Sequence, residues 1–189
     1  MYRVRGYTLV EMIIVIAVLG LIARAALPRA GPLGTAKLDA GAQEVANALR
    51  FARSEAMRTN SFYGVDFSND ASGKARIRVF HTDSAIPANP VYDVYHPVDK
   101  KLWDLQLASN GPTANVVVSQ ATFYYKTGST VSSTSWAAFD GTGTPEYYPN
   151  AASYAAYSSA SQTSAVTVSH QGKTMQIALD PVTGRVTVQ

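Results

Sequence analysis

The chain has 189 residues, 47% of them apolar and 15% charged, which suits one modest core with an appendage rather than two full domains. It contains no cysteine, and this excludes disulfides, thiolate metal sites and a thiol nucleophile. The net charge is +3, and once Arg3 and Arg5 are set aside fourteen basic side chains face thirteen acidic ones, so charge alone does not predict a nucleic-acid partner.

The first predicted element is apolar. From Tyr7 to Leu27 the only charges are Glu11 and Arg24. About 20 apolar helical residues cross a hydrocarbon core, so 7–27 is long enough for a transmembrane helix. Arg3 and Arg5 precede it closely, which favours a cytoplasmic N-terminus with the rest of the chain outside. The same residues also fit a cleaved secretory signal, with a charged start, an apolar stretch from Met12 to Ile22 and an Ala23-Arg24-Ala25 site. A plain uncleaved anchor is a further reading, but a carboxylate in a spanning helix costs up to about 3 kcal/mol near the centre and tends to mark function.

The combination Arg5-Gly6-Tyr7-Thr8-Leu9-Val10-Glu11 resembles the class III signal of type IV prepilins and pseudopilins. That signal is a short basic leader ending in glycine, then a first mature residue that is N-methylated, then a glutamate as the fifth. The resemblance implies cleavage by prepilin peptidase between Gly6 and Tyr7, N-methylation of Tyr7, and a role for Glu11 in subunit assembly. Pro28 falls where the family commonly has a helix-kinking proline. Tyr7 stands where phenylalanine is usual, and Arg24 is unusual in such a segment, where its long stem allows the charge to snorkel to the bilayer surface. Glu11 lies one helical turn beyond Tyr7 on the same face. In this family its partner is held to be the N-terminal amine of a neighbouring subunit.

Pro28, Gly31, Pro32 and Gly34 are expected to interrupt the helix and form a hinge. A second helical pattern begins near Ala36, with Leu38, Ala42, Val45, Leu49, Ala52 and Ala56 spaced by three and four, and Lys37, Asp39, Glu44, Arg50, Arg53 and Arg58 on the other face. Residues 28–60 thus read as hinge plus amphipathic helix. Its end is similar to that of GspH/FimT-type minor pilins and pseudopilins. The period then changes to two. Residues 62–67 and 74–80 read as a β-hairpin around Ser68–Gly73, residues 101–107 and 115–126 as two more strands, and 165–170, 173–180 and 184–189 as three closing strands. Between them, 127–165 is rich in Ser, Thr, Ala and Gly. Its Trp136–Tyr148 stretch resembles the family's strand and glycine turn, with Phe139 in the core and Gly143 in the turn, and the remainder reads as a long surface loop. The expected fold is α+β and pilin-like: a leader at 1–6, a transmembrane helix at 7–27, hinge and amphipathic helix at 28–60, and an antiparallel, periplasmic β domain at 61–189.

No catalytic or metal-binding motif is present, and the near miss over Asp66–Gly73 reads as a hairpin turn rather than a calcium loop. His81, His96 and His170 are widely spaced with unrelated neighbours. No cofactor, metal or small-molecule ligand is expected, and no enzyme. The resemblance implies an H-type minor pseudopilin of a type II secretion system, anchored in the bacterial inner membrane, whose partners are other pilins or pseudopilins, prepilin peptidase and the inner-membrane assembly platform. The alternative is a type IV pilus minor pilin of FimT/FimU type, acting in pilus assembly or DNA uptake. DNA-binding relatives carry a C-terminal Gly-Arg motif that Gly184 and Arg185 match, with Lys173 and Lys126 the next basic candidates. No second arginine follows, and DNA affinity needs several phosphate contacts, so a turn glycine followed by a solvent-facing arginine is the favoured reading.

Overall fold

The structure, a computed structural model, describes residues 7–26, 30–71, 73–82, 90–107, 111–147, 154–159 and 161–189. The chain divides into two units, Met1–Leu33 and Gly34–Gln189. In the first, helix α1 spans Leu9–Ala26. Its 18 residues rise about 27 Å, against ~30 Å for a hydrocarbon core. Among the described residues no helix is long and apolar enough to cross a membrane. Leu27 and Pro28, the ends of the expected span and its kink, lie outside the described residues.

Helix α2 spans Ala30–Thr59. It starts six residues before the predicted Ala36, so the Gly31-Pro32-Leu33-Gly34 stretch expected to break the helix is helical. Pro32 falls in the first turn, where a missing N–H leaves no intrahelical bond unmade. The helix ends where Asn60 adopts φ 51° and the Ser61 N–H donates to the Ala56 carbonyl at 3.2 Å, a bond that closes the last turn around a left-handed residue.

The predicted apolar stripe of α2 is buried throughout: Leu38, Ala42, Val45, Leu49, Ala52 and Ala56 are each at most 2% exposed. Five alanines and Gly41 on this buried side let the backbone come close to its neighbours. A Cβ on Gly41 would stand 2.6 Å from Cγ1 of Val116.

Two antiparallel sheets complete the domain. The first has the order β3-β2-β1-β6, from β1 (Phe62–Asp66), β2 (Ile77–Thr82), β3 (Asp104–Leu105) and β6 (Trp136–Phe139). β1 and β2 are the predicted hairpin, in the register Val65↔Val79. Its turn is held by the Lys74 N–H donating to Asp70 Oδ1 at 2.9 Å, as expected of a hairpin. The second sheet runs β11-β10-β9-β4-β8-β7, with β5 also on β4. Its strands are β4 (Val117–Thr127), β5 (Thr130–Thr134), β7 (Glu146–Tyr147), β8 (Tyr154–Ala156), β9 (Ala165–His170), β10 (Lys173–Leu179) and β11 (Val186–Val188).

Three closing strands therefore form where they were expected. The strand read at 101–107 shrinks to Asp104–Leu105, with Trp103 and Leu107 on either side buried in the core. The Ser/Thr-rich 127–165 region is not all loop, since β5 and β8 both pair with β4. Phe139 is fully buried and Gly143 takes φ 80° in its turn, both as predicted. The core joins the α2 stripe to Val65, Ile77 and Val79 of one sheet and to Phe123, Val166, Val168, Ile177 and Leu179 of the other.

Candidate functional site

Helix α1 begins with a self-contained cap. Thr8 and Glu11 have the Thr-x-x-Glu spacing in which each side chain serves the other's backbone. The Glu11 N–H donates to Thr8 Oγ1 at 3.3 Å, and the Thr8 N–H reaches Glu11 Oε2 at 3.5 Å, a long contact at the weak end of hydrogen bonding. The backbone adds bonds from the Glu11 and Met12 N–H groups to the Thr8 carbonyl. Glu11 in the first turn and Arg24 in the last both oppose the helix dipole with the stabilising sign.

Everything else on α1 is apolar and unpacked. Every described side chain from Tyr7 to Arg24 is exposed, with Leu9 at 75% and Leu21 at 76%. A helix that is apolar around its whole circumference and unburied in its own chain has a surface made for lipid or for other helices. Tyr7 is the first described residue and is 77% exposed. Gly6, the other half of the predicted cleavage site, lies outside the described residues, as does Pro28. Thr8 is a site residue that the sequence reading passed over, although the Thr-x-x-Glu signature was there to find it.

The candidate nucleic-acid residues sit at two places. Gly184 is buried with φ 65°, and a Cβ there would stand 2.5 Å from the Gly143 carbonyl oxygen and 2.9 Å from Arg53 Nε. Arg53 in turn donates to that carbonyl at 3.0 Å, and Arg50 donates to the Val186 carbonyl at 3.3 Å, so α2 clamps both glycine turns. Asp180 orders the turn before Gly184 by accepting from the Thr183 N–H and hydroxyl and from the Val182 N–H. These bonds, the Thr183 ones foremost, hold its carboxyl below the usual carboxylate range.

Arg185 is exposed beside this turn. Lys173 is at the other end of β10, about 20 Å away at the rise of an extended strand, where its Nζ donates to Thr35 Oγ1 at 3.0 Å. Lys126 is on β4 with its ammonium 5.0 Å from the Tyr157 ring centre. The three cations are thus spread apart, Lys173 on β10, Lys126 on β4 and Arg185 before β11.

The histidines are likewise engaged separately. His81 meets Asp93 at 2.7 Å, His96 meets Asp99 at 3.4 Å, and the buried His170 places Nδ1 2.9 Å from the Asn115 carbonyl. Among the described residues no three potential metal ligands cluster.

An exposed apolar helix with a capped glutamate in its first turn, preceding an antiparallel β domain packed on an amphipathic helix, defines a pilin-like protein. A model described as a prokaryotic N-terminal methylation motif matches residues 1–26, and one described as type II transport protein GspH matches residues 41–184. The chain belongs to the GspH family.

A curated relative, "Pilin-like protein PilA1" of Thermus thermophilus, is 38% identical over 69 residues, which cover 36% of this chain and 44% of that protein. The chain thus spans less than half the length of the curated relative it matches. No solved structure matches. The methylation motif and the family together imply a membrane-anchored subunit of an envelope assembly, and the family is a structural one of pilins and pseudopilins.

Proposed function

We propose that the chain is an H-type minor pseudopilin of a type II secretion system, a structural subunit of the inner-membrane pseudopilus tip or priming complex that supports protein secretion. The GspH match over most of the β domain carries this reading, and the exposed apolar α1 with Glu11 at its start supports it. In this reading prepilin peptidase cuts between Gly6 and Tyr7 and the new Tyr7 amine is methylated. Residues 7–27 then hold the chain in the inner membrane, with the N-terminus cytoplasmic and the β domain periplasmic. Glu11 serves assembly because an unpaired carboxylate in lipid has to find a cation, and the amine of a neighbouring subunit is one. At about 4 Å and an effective dielectric near 20 such a pair gains on the order of 4 kcal/mol before desolvation.

Glu11→Ala is expected to be processed normally, with mature mass showing loss of residues 1–6 plus one methyl group, and to fail to enter the fibre. Incorporation of Glu11→Ala at the wild-type level would remove the assembly role, and a mature chain that has lost residues 1–25 and starts at Ala26 would remove the pilin reading altogether. A type IV pilus minor pilin is the second reading, favoured by the similarity to a pilin-like protein over 69 residues. Deleting the chain separates the two, through loss of protein secretion or loss of pili. The spread of Arg185, Lys173 and Lys126 gives the DNA-uptake version of that reading little support, and a gel shift indifferent to Arg185→Ala would dismiss it.

A further inference from the structure

One edge of β4 is only half used. On its first edge β8 and β9 lie end to end: the Tyr157 N–H donates to the Tyr124 carbonyl at 2.8 Å, and the Tyr124 N–H donates to Ser164 Oγ at 3.0 Å. Both backbone groups of Tyr124 therefore face β8 and β9. The opposite edge is taken by β5, but only from Phe123 to Thr127, with Phe123 opposite Thr134. At Ser135 the chain leaves β4. Its next residues, β6, pair with β1 in the other sheet, and the Phe67 N–H donates to the Ser135 carbonyl at 3.2 Å. Strand alternation points the Ala121 N–H and C=O to the same side as those of Phe123. Among the described residues no strand meets β4 there between Val117 and Thr122.

The lane that β5 vacates is an open groove of about 530 Å³, with Ser68, Asn69 and Ala75 on one wall and Val118 to Ala121 on the other. It continues into a more apolar stretch of about 320 Å³ that reaches Leu107 and Val116. We propose that this groove docks an extended, uncharged segment of another polypeptide, which adds to the free edge of β4 in line with β5. The Ala121 N–H and C=O offer an extended main chain a donor and an acceptor. Among the described residues no charged side chain lines the wider groove, and Lys74 lines only its continuation, so an uncharged occupant is matched to the wider part. The Thr-Val-Ser-Ser-Thr sequence of β5 is the composition this edge already pairs. Natural edges are usually guarded by lysine, proline or a bulge. From Val117 to Ala121 there is neither lysine nor proline, and the guard present is a bulge in β4 itself, where the register shifts between Val118 and Gln120.

The test titrates the full chain in detergent micelles with a blocked synthetic peptide carrying the β5 sequence extended by Val-Ser. Saturable binding with slowed hydrogen exchange at the Ala121 amide is the expected result. N-methylation of alternate peptide residues, and separately Gln120→Lys or Asn69→Lys, should each weaken it about tenfold, the effect of losing one or two net backbone hydrogen bonds or of charging a wall. The two side chains are exposed, so retained circular dichroism keeps the comparison clean. No saturable binding at millimolar peptide would overturn the proposal, as would binding indifferent to both N-methylation and wall charge. Self-association of the chain that Gln120→Lys abolishes, without peptide binding, would assign the edge to a second copy and overturn the stated occupant.

Discussion

Tyr92 shows how one hydroxyl can anchor a segment. It donates to Asp66 Oδ2 at 2.9 Å, where the buried carboxylate also receives Arg78 at 2.6 Å and the Ser68 N–H and hydroxyl. The Arg78 guanidinium lies over the Tyr92 ring at 4.2 Å. Burial first, and the bond to Asp66 next, push the Tyr92 phenol up to about 12 from 10.0. Since the folded value is the higher one, the stabilisation is complete below pH 10 and is lost as pH rises through about 12. Tyr92→Phe should cost about 1 kcal/mol in a denaturant melt and remove an ionisation near pH 12 from an ultraviolet titration. Gly184→Ala should cost more, at least about 2 kcal/mol in a denaturant melt, because φ 65° is unfavourable for alanine and the new Cβ meets a backbone oxygen. At this scale the sequence was readable wherever partners are local: Thr8 with Glu11, Asp70 with Lys74. The Arg53 to Gly143 and Tyr92 to Asp66 bonds join residues 90 and 26 apart, and no spacing rule reaches them.

Helix α2 was legible because its period is strong and its buried face is continuous over Leu38 to Ala56. Gly41 is the residue that sets how near it comes to Val116. Gly41→Ala should destabilise by about 1–3 kcal/mol, and Val116→Ala in the same chain should restore part of that loss, since the crowded atoms belong to Val116. Thermal melts of the two single variants and the double variant check this. The hairpin of β1 and β2 was legible from its alternation, and β9 to β11 from their Val, Ile and Thr runs. β5 and β8 were not, because Thr-Val-Ser-Ser-Thr and Tyr-Ala-Ala have little apolar alternation to show. Their strand character comes from the ladder that β4 offers them.

For the molecule as a whole, the two units call for different solvents. The first carries exposed Leu, Ile, Val and Met from Leu9 to Ile22 of its described residues, while the second has its own core. Removing residues 1–33 should leave a chain that stays monomeric without detergent and retains the circular dichroism of antiparallel strands. Aggregation or loss of that signal would show that the β domain depends on the segment before it. The α+β order was readable from the change of period. The division into two sheets was not, because it turns on where a strand changes partners, at Ser135.

That exchange at Ser135 also orders events in time. β1 must wait for β6, some seventy residues further on, and β4 for β9, whose first residue is Ala165. A chain emerging N-terminus first therefore has no complete second sheet until its last twenty-five residues arrive. Such long-range closures are slow. The β domain is thus finished from its C-terminal end.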